Sequence, residues 1–192
     1  MKFLFVKDRL IVQLKLVFEM IKDFIDEFLR YKLAGQKAIA QLSAADLNKI
    51  PSHEMNSIAM IVRHISGNLV SRFTDFLTSD GEKSWRNREE EFAQVEYDQE
   101  QIMQLWESGW QVLENELAKL TDEDLSREVI IRGQSLTVHQ ALLRSLAHIA
   151  NHIGQIILLA RMQAKENWDW VSIPRGKSAD YNQNPTMEKR PY

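Results

Sequence analysis

Apolar residues return every three or four positions along most of this chain, the period of one face of an α-helix. Leu10, Leu14, Val17, Ile21, Phe24, Phe28 and Tyr31 form the first such stripe and predict a helix from about residue 4 to 41, with a kink near Gly35. Ser43-Ala-Ala-Asp46 reads as a capping box that opens one short helical turn before Pro51. A second stripe, Ile58, Ile61, Val62, Ile65, Leu69, Phe73 and Phe76, predicts a helix capped by Asn56 or Ser57 and ending before the turn Ser79-Asp80-Gly81. A third runs from about residue 98 to 120, with Ile102, Leu105, Trp106, Leu113, Leu117 and Leu120 inward. Val129 to Leu136 is rich in β-formers and turns at Arg132-Gly133, the pattern of a small hairpin. Thr137 with Gln140 makes another capping box and launches a fourth helix to about residue 165.

Four amphipathic helices with little else define an all-α four-helix bundle, expected over residues 1–166, with an extended tail at 167–192 packed on it or projecting from it. The segment from about 78 to 97 is longer than bundle connections need, and long connections tend to carry function or cross a face. Composition agrees with helices: of 192 residues only 7 are Gly and 4 Pro, while 44% are apolar, enough for one buried core. The net charge of -3 offers no general basic field, so nucleic acid is not an expected partner. With no cysteine, disulfides, thiolate metal sites and cysteine nucleophiles are excluded. MKFLFVKDRL is too short in apolar residues for an export signal and no stretch suits a membrane span, so a cytoplasmic protein without a membrane partner is expected.

His148 and His152 stand four residues apart in the fourth helix, so two imidazoles project from neighbouring turns of one face. Neutral imidazole suits zinc, nickel, copper and iron. Alone, the spacing also fits two ordinary polar residues on a helix flank. The wheel weighs against that reading: with Val138, Leu142, Ser145, Ile149, Ile156 and Ala160 as the core stripe, both histidines fall beside its centre, where unpartnered rings are costly. Asn151 and Gln155 stand nearby as groups to hydrogen-bond a ligand ring or a water. His64 flanks the second helix's stripe, with Asn68 one turn further on. It supplies a third ligand if the second and fourth helices are neighbours, and is otherwise a surface or cap-bonded histidine. His139 points away from His148, and His53 lies in a loop without an assigned role.

One histidine in the second helix and His148-Ile-Ala-Asn-His152-Ile-Gly-Gln-Ile in the fourth resemble the DinB-like superfamily. NSIAMIVRHISGNLVSRFTDFLTSDGEKSWRNREEEF, from Asn56 to Phe92, is closely similar to a bacterial subfamily patterned NSIAxIVxHxxGNxxSRxxDFLTxDGEKxWRNRxxEF, and Ser172-Ile-Pro-Arg-Gly-Lys-Ser178 to its ending. The resemblance implies an up-down-down-up bundle with a long crossover between the second and third helices. It implies one divalent ion, zinc or nickel, on His64, His148 and His152. It also implies a possible role for a low-molecular-weight thiol, since characterised relatives use bacillithiol or mycothiol, whereas most members have no assigned reaction. A metal- and thiol-dependent S-transferase is the expected function, with a metal-dependent hydrolase or a non-catalytic metal-binding bundle as alternatives. No carboxylate stands at a spacing that marks it as a general base.

Arg72, Lys83, Arg86 and Arg88, with Trp85, make a basic and aromatic patch on the crossover. It reads as an anion clamp, or as salt-bridge partners for Asp80, Glu89, Glu90 and Glu91, and the second is preferred. Arg144, one turn before His148, is a further candidate for an anionic substrate. Trp106 and Trp110 are expected in the core. Phe3, Leu4 and Phe5 offer an apolar face for a homodimer.

Overall fold

The boundaries of the helices follow from side chains that answer their free backbone groups. The computed structural model describes residues 20–164, 168–187 and 189. Helix α1 (Met20–Ile39) has its first described amides answered from far along the chain: Asp122 accepts from the N–H groups of Met20 and Ile21. The half of this helix expected before Met20, with Phe3, Leu4 and Phe5, lies outside the described residues. No break occurs at Gly35. A Cβ there would stand 2.5 Å from the Trp106 ring, so what the glycine permits is close approach of α1 to that ring.

The two capping boxes that the spacing predicts, at Ser43 and Thr137, form, and the structure adds a third at Asp98. Ser43 and Asp46 open α2 (Ala44–Asn48), Asp98 and Gln101 open α4 (Gln99–Leu117), and Thr137 and Gln140 open α5 (Val138–Gln163). Ser57 caps α3 (Ile58–Phe73) by accepting from the Met60 N–H. This helix stops about a turn before the expected end. The Thr74 hydroxyl donates to the Val70 carbonyl, and Asp75 takes a left-handed φ of 50° that ends the periodicity, although Phe76 still reaches the core.

The core lies among the four long helices, with Leu69 and Phe73 of α3, Trp106 and Trp110 of α4 and Leu142 and Ile149 of α5 all essentially inaccessible to solvent. Strands β1 (Glu128–Ile131) and β2 (Gln134–Thr137) pair antiparallel around Arg132 and Gly133, whose φ values of 54° and 71° suit a two-residue hairpin turn. The hairpin clips the crossover: Asp80 accepts from the Arg132 and Gly133 amides, and the Gly81 N–H donates to the Ile130 carbonyl.

The described part of the tail lies along α1. Trp168 is buried, Lys37 donates to the Trp170 carbonyl, Arg30 to the carbonyls of Met187 and Lys189, and a short helix α6 (Ser178–Tyr181) lies between. Among the described residues no helix is long and apolar enough to cross a membrane.

Candidate metal centre

His64 projects from the middle of α3, and His148 and His152 from successive turns of α5. The Nε2 atoms of His64 and His148 are 3.1 Å apart, and those of His148 and His152 3.2 Å apart. Nitrogens about 2.0–2.1 Å from a tetrahedral ion stand about 3.3–3.4 Å from one another, so the three rings are spaced for one common ion. Among the described residues they form a group whose ligand atoms could hold a metal.

The tautomers of two rings are set from behind. His64 Nδ1 lies 2.8 Å from Glu91 Oε2, and a carboxylate only accepts, so this nitrogen carries the proton and Nε2 a lone pair. His152 Nδ1 lies 3.1 Å from Gln155 Oε1, which leaves its Nε2 lone pair facing the same point. His148 Nε2 sits between them. A proton on it could answer one neighbour but not both, whereas a cation at the centre answers all three. His148 cannot supply a second proton near neutral pH: burial pushes its pKa down to about 3, helped by the neighbouring His152 and His64 and by Arg72 and Arg86. Burial lowers that of His152 also, against the hydrogen bond to Gln155. The Nδ1 of His148 is buried without a partner among the described residues, so packing between the other two rings holds this imidazole.

These shifts give the metal-free fold a pH dependence. In the unfolded chain His148 titrates near 6.5; in the fold it refuses the proton until about 3. Between those values the unfolded chain binds more protons, so stability falls as pH is lowered through that window. The thermal midpoint of chelator-treated protein is expected to drop between pH 7 and pH 5, and to drop less in His148→Leu.

Glu91 escaped the sequence reading except as a salt-bridge partner. It sits on the 3-10 turn Glu89–Phe92 of the crossover, buried, with Arg86 Nε 2.7 Å from Oε1 and a second guanidinium nitrogen 2.9 Å from Oε2. Burial alone would raise its pKa, but hydrogen bonds from His64 and Arg86 and the charge of Arg86 hold it below the usual carboxylate range. Its seat exists because residue 67 is glycine: a Cβ there would stand 2.3 Å from Glu91 Oε1. A carboxylate, an imidazole and the common point thus form one line, with Arg86 fixing the outer end.

The rings form the floor of a cleft of about 850 Å³ between α3, α5, the crossover and the hairpin turn. Arg72, Arg86, Arg88, Arg132 and Arg144 all border it. Arg86 is engaged by Glu91 and, at 3.7 Å, by Glu82. Glu82 also pairs with Arg72 and Arg132 at 3.1 and 3.0 Å. Arg88 pairs with exposed Glu89 and lies over the Phe92 ring. Asp80, by contrast, serves the hairpin turn, and Lys83 bonds to Ser79 and the Asp80 carbonyl. Trp85 is largely exposed, and Trp106 and Trp110 are core residues. Asn68 lines the cleft without a hydrogen bond to any ring among the described residues, and Asn151 is exposed on α5. His139 packs edge-on against Phe24, away from the three rings, and His53 is exposed in its loop.

The fold is that of a DinB-like protein. It matches the crystal structure of a DinB-like protein from Bacillus cereus ATCC 10987 with a TM-score of 0.56 at 14% identity, over 76% of this chain and 93% of that one. The chain belongs to the family described as "Protein of unknown function (DUF1572)", whose pattern matches residues 16–177. No curated protein sequence matches it.

Proposed function

We propose that this chain binds one divalent metal ion, zinc or nickel, on His64, His148 and His152, and acts as a thiol-dependent S-transferase. The observation that carries the metal reading is the convergence of three Nε2 atoms, two of whose lone pairs are fixed inward by Glu91 and Gln155. An ion held by three neutral imidazoles retains its full charge and lowers the pKa of a thiol or water placed beside it. The chain's own residues do the rest. Glu91 and Gln155 orient two rings, and Phe92, its ring 4.7 Å from that of His64, covers that imidazole on the crossover side.

Transfer from a thiol is favoured over hydrolysis by the state of Glu91. Its oxygens accept from His64 and from two nitrogens of Arg86, so its charge is already engaged in orienting the ring and holding the guanidinium. The similarity of the histidine motif to that of thiol-using enzymes supports the same choice. The non-catalytic alternative is that the ion merely ties α3 to α5.

Calorimetric titration of the zinc-loaded protein with bacillithiol and related thiols at two pH values separates the readings. Binding is expected to require the metal and to strengthen with pH until the free thiol itself ionises, since a proton is lost on binding. No metal-dependent heat with any thiol would leave the non-catalytic reading.

A further inference from the structure

The three histidine rings are neutral, yet the cleft above them is bordered by Arg72, Arg86, Arg88, Arg132 and Arg144. Positive charges beside the common point oppose the arrival of a divalent ion, most of all where solvent does not screen them. Two are so placed: the side chain of Arg86 is 3% exposed and that of Arg72 12%. Glu91 answers Arg86. The other carboxylate among these arginines is Glu82, and one of its oxygens, Oε2, serves three elements at once. It stands 3.1 Å from Arg72 in the last turn of α3, 3.0 Å from Arg132 in the hairpin turn and 3.7 Å from Arg86 of the crossover. Among the described residues no other carboxylate pairs with Arg72 or Arg132. Burial would raise the pKa of Glu82, but hydrogen bonds from Arg132 and Arg72 and the charges of Arg72 and Arg86 hold it below the usual carboxylate range, so it is an anion at neutral pH.

We propose that Glu82 is the counter-charge that lets this arginine-bordered cleft accept a divalent ion. It touches no ligand ring and acts through the arginines. It offsets the field of Arg72 and Arg132, and it meets Arg86, which on its other side holds Glu91 against His64. The inference rests on the metal reading above and names the residue that tunes that site's affinity. A plain structural tie is the competing account, and the hairpin already has one. Asp80 accepts from the Arg132 and Gly133 amides, and the Gly81 N–H donates to the Ile130 carbonyl. Without Glu82, Arg72 would keep the Gly81 carbonyl as an acceptor but no anion. A carboxylate where three guanidinium groups converge matters first for its charge, because the groups it separates repel one another and any cation beside them.

The test measures the zinc affinity of the full-length protein by competition with a chelator, at ionic strengths of about 0.05 M and about 0.5 M, between which the screening length changes about threefold. Glu82→Gln keeps the shape and removes the charge. It is expected to bind zinc roughly tenfold more weakly at the lower salt and to recover most of that loss at the higher, where the arginine field is screened. Glu82→Asp, which keeps the charge, should stay close to the unaltered protein. Glu82→Gln combined with Arg72→Gln removes anion and cation together, so its affinity should return most of the way. This double variant also decides the matter if Glu82→Gln alone fails to fold, since it leaves no half-buried guanidinium without its anion. A tie between elements would be cut in both variants and would not depend on salt. Unchanged affinity in Glu82→Gln, a loss equal at both salts, or a double variant weakened tenfold would each overturn the inference while the metal reading stands. An unaltered protein that takes up no zinc would overturn the metal reading, and this inference with it.

Discussion

Alanine at both His148 and His152 is expected to abolish stoichiometric binding of zinc or nickel while leaving helix content near that of the unaltered chain. The loss is large because the ion's charge is met only by neutral nitrogens: with two of three removed, His64 alone remains. The fold should survive because neither ring is fully buried and neither answers a buried charge. The core face of α5 is carried by Leu142, Ile149, Ile153 and Ile156, which the double substitution leaves in place. His64→Ala should behave differently. It removes the hydrogen bond to buried Glu91, so metal binding and thermal stability should fall together. Elemental analysis after dialysis, with circular dichroism on the same samples, measures both. One ion per chain retained by the double variant would refute the assignment.

Most of what the pattern of residues could show was local. Capping boxes at Ser43 and Thr137, the hairpin turn at Arg132-Gly133 and the inward tryptophans are set by neighbours within a few positions, where spacing is informative. His148 and His152 were legible for the same reason, because a helix makes four residues a fixed angle. His64 needed more: only the packing of α3 beside α5 puts it 3.1 Å from His148. Glu91 was legible as a salt-bridge partner of the crossover arginines but not as the partner of His64. It follows His64 by 27 residues and stands in a run of three glutamates on an irregular turn, where no periodicity says which one turns inward. The end of α3 was misplaced because Phe76 continues the apolar stripe from outside the helix, and buried position does not by itself require helical backbone. The crossover arginines invited two readings. The structure pairs Arg86 with Glu91 and gathers Arg72 and Arg132 at Glu82, a carboxylate the sequence reading had not singled out.

The second large effect concerns Gly67 and reverses the usual sign of a helix substitution. Alanine in place of glycine inside a helix ordinarily stabilises by up to about 1 kcal/mol, since glycine loses more backbone freedom on folding. Here the added methyl would stand 2.3 Å from Glu91 Oε1, so the carboxylate must leave its seat. Its departure would strip His64 Nδ1 of its acceptor and leave Arg86, whose side chain is 3% exposed, with Glu82 at 3.7 Å as its remaining ion-pair partner. Breaking a buried charge pair from one side costs about 3–5 kcal/mol, which outweighs the gain in helix propensity several times over. Gly67→Ala is therefore expected to lower the thermal midpoint of the metal-free protein and weaken zinc binding about 10–100-fold with all three histidines intact. Glu91→Gln should reproduce the loss of affinity, because an amide oxygen can still accept from His64 but carries no charge to hold Arg86. Competition with a chelator of known affinity, run beside thermal melts, measures both quantities. If Gly67→Ala melted higher than the unaltered protein and bound zinc as tightly, Glu91 would have no part in holding His64.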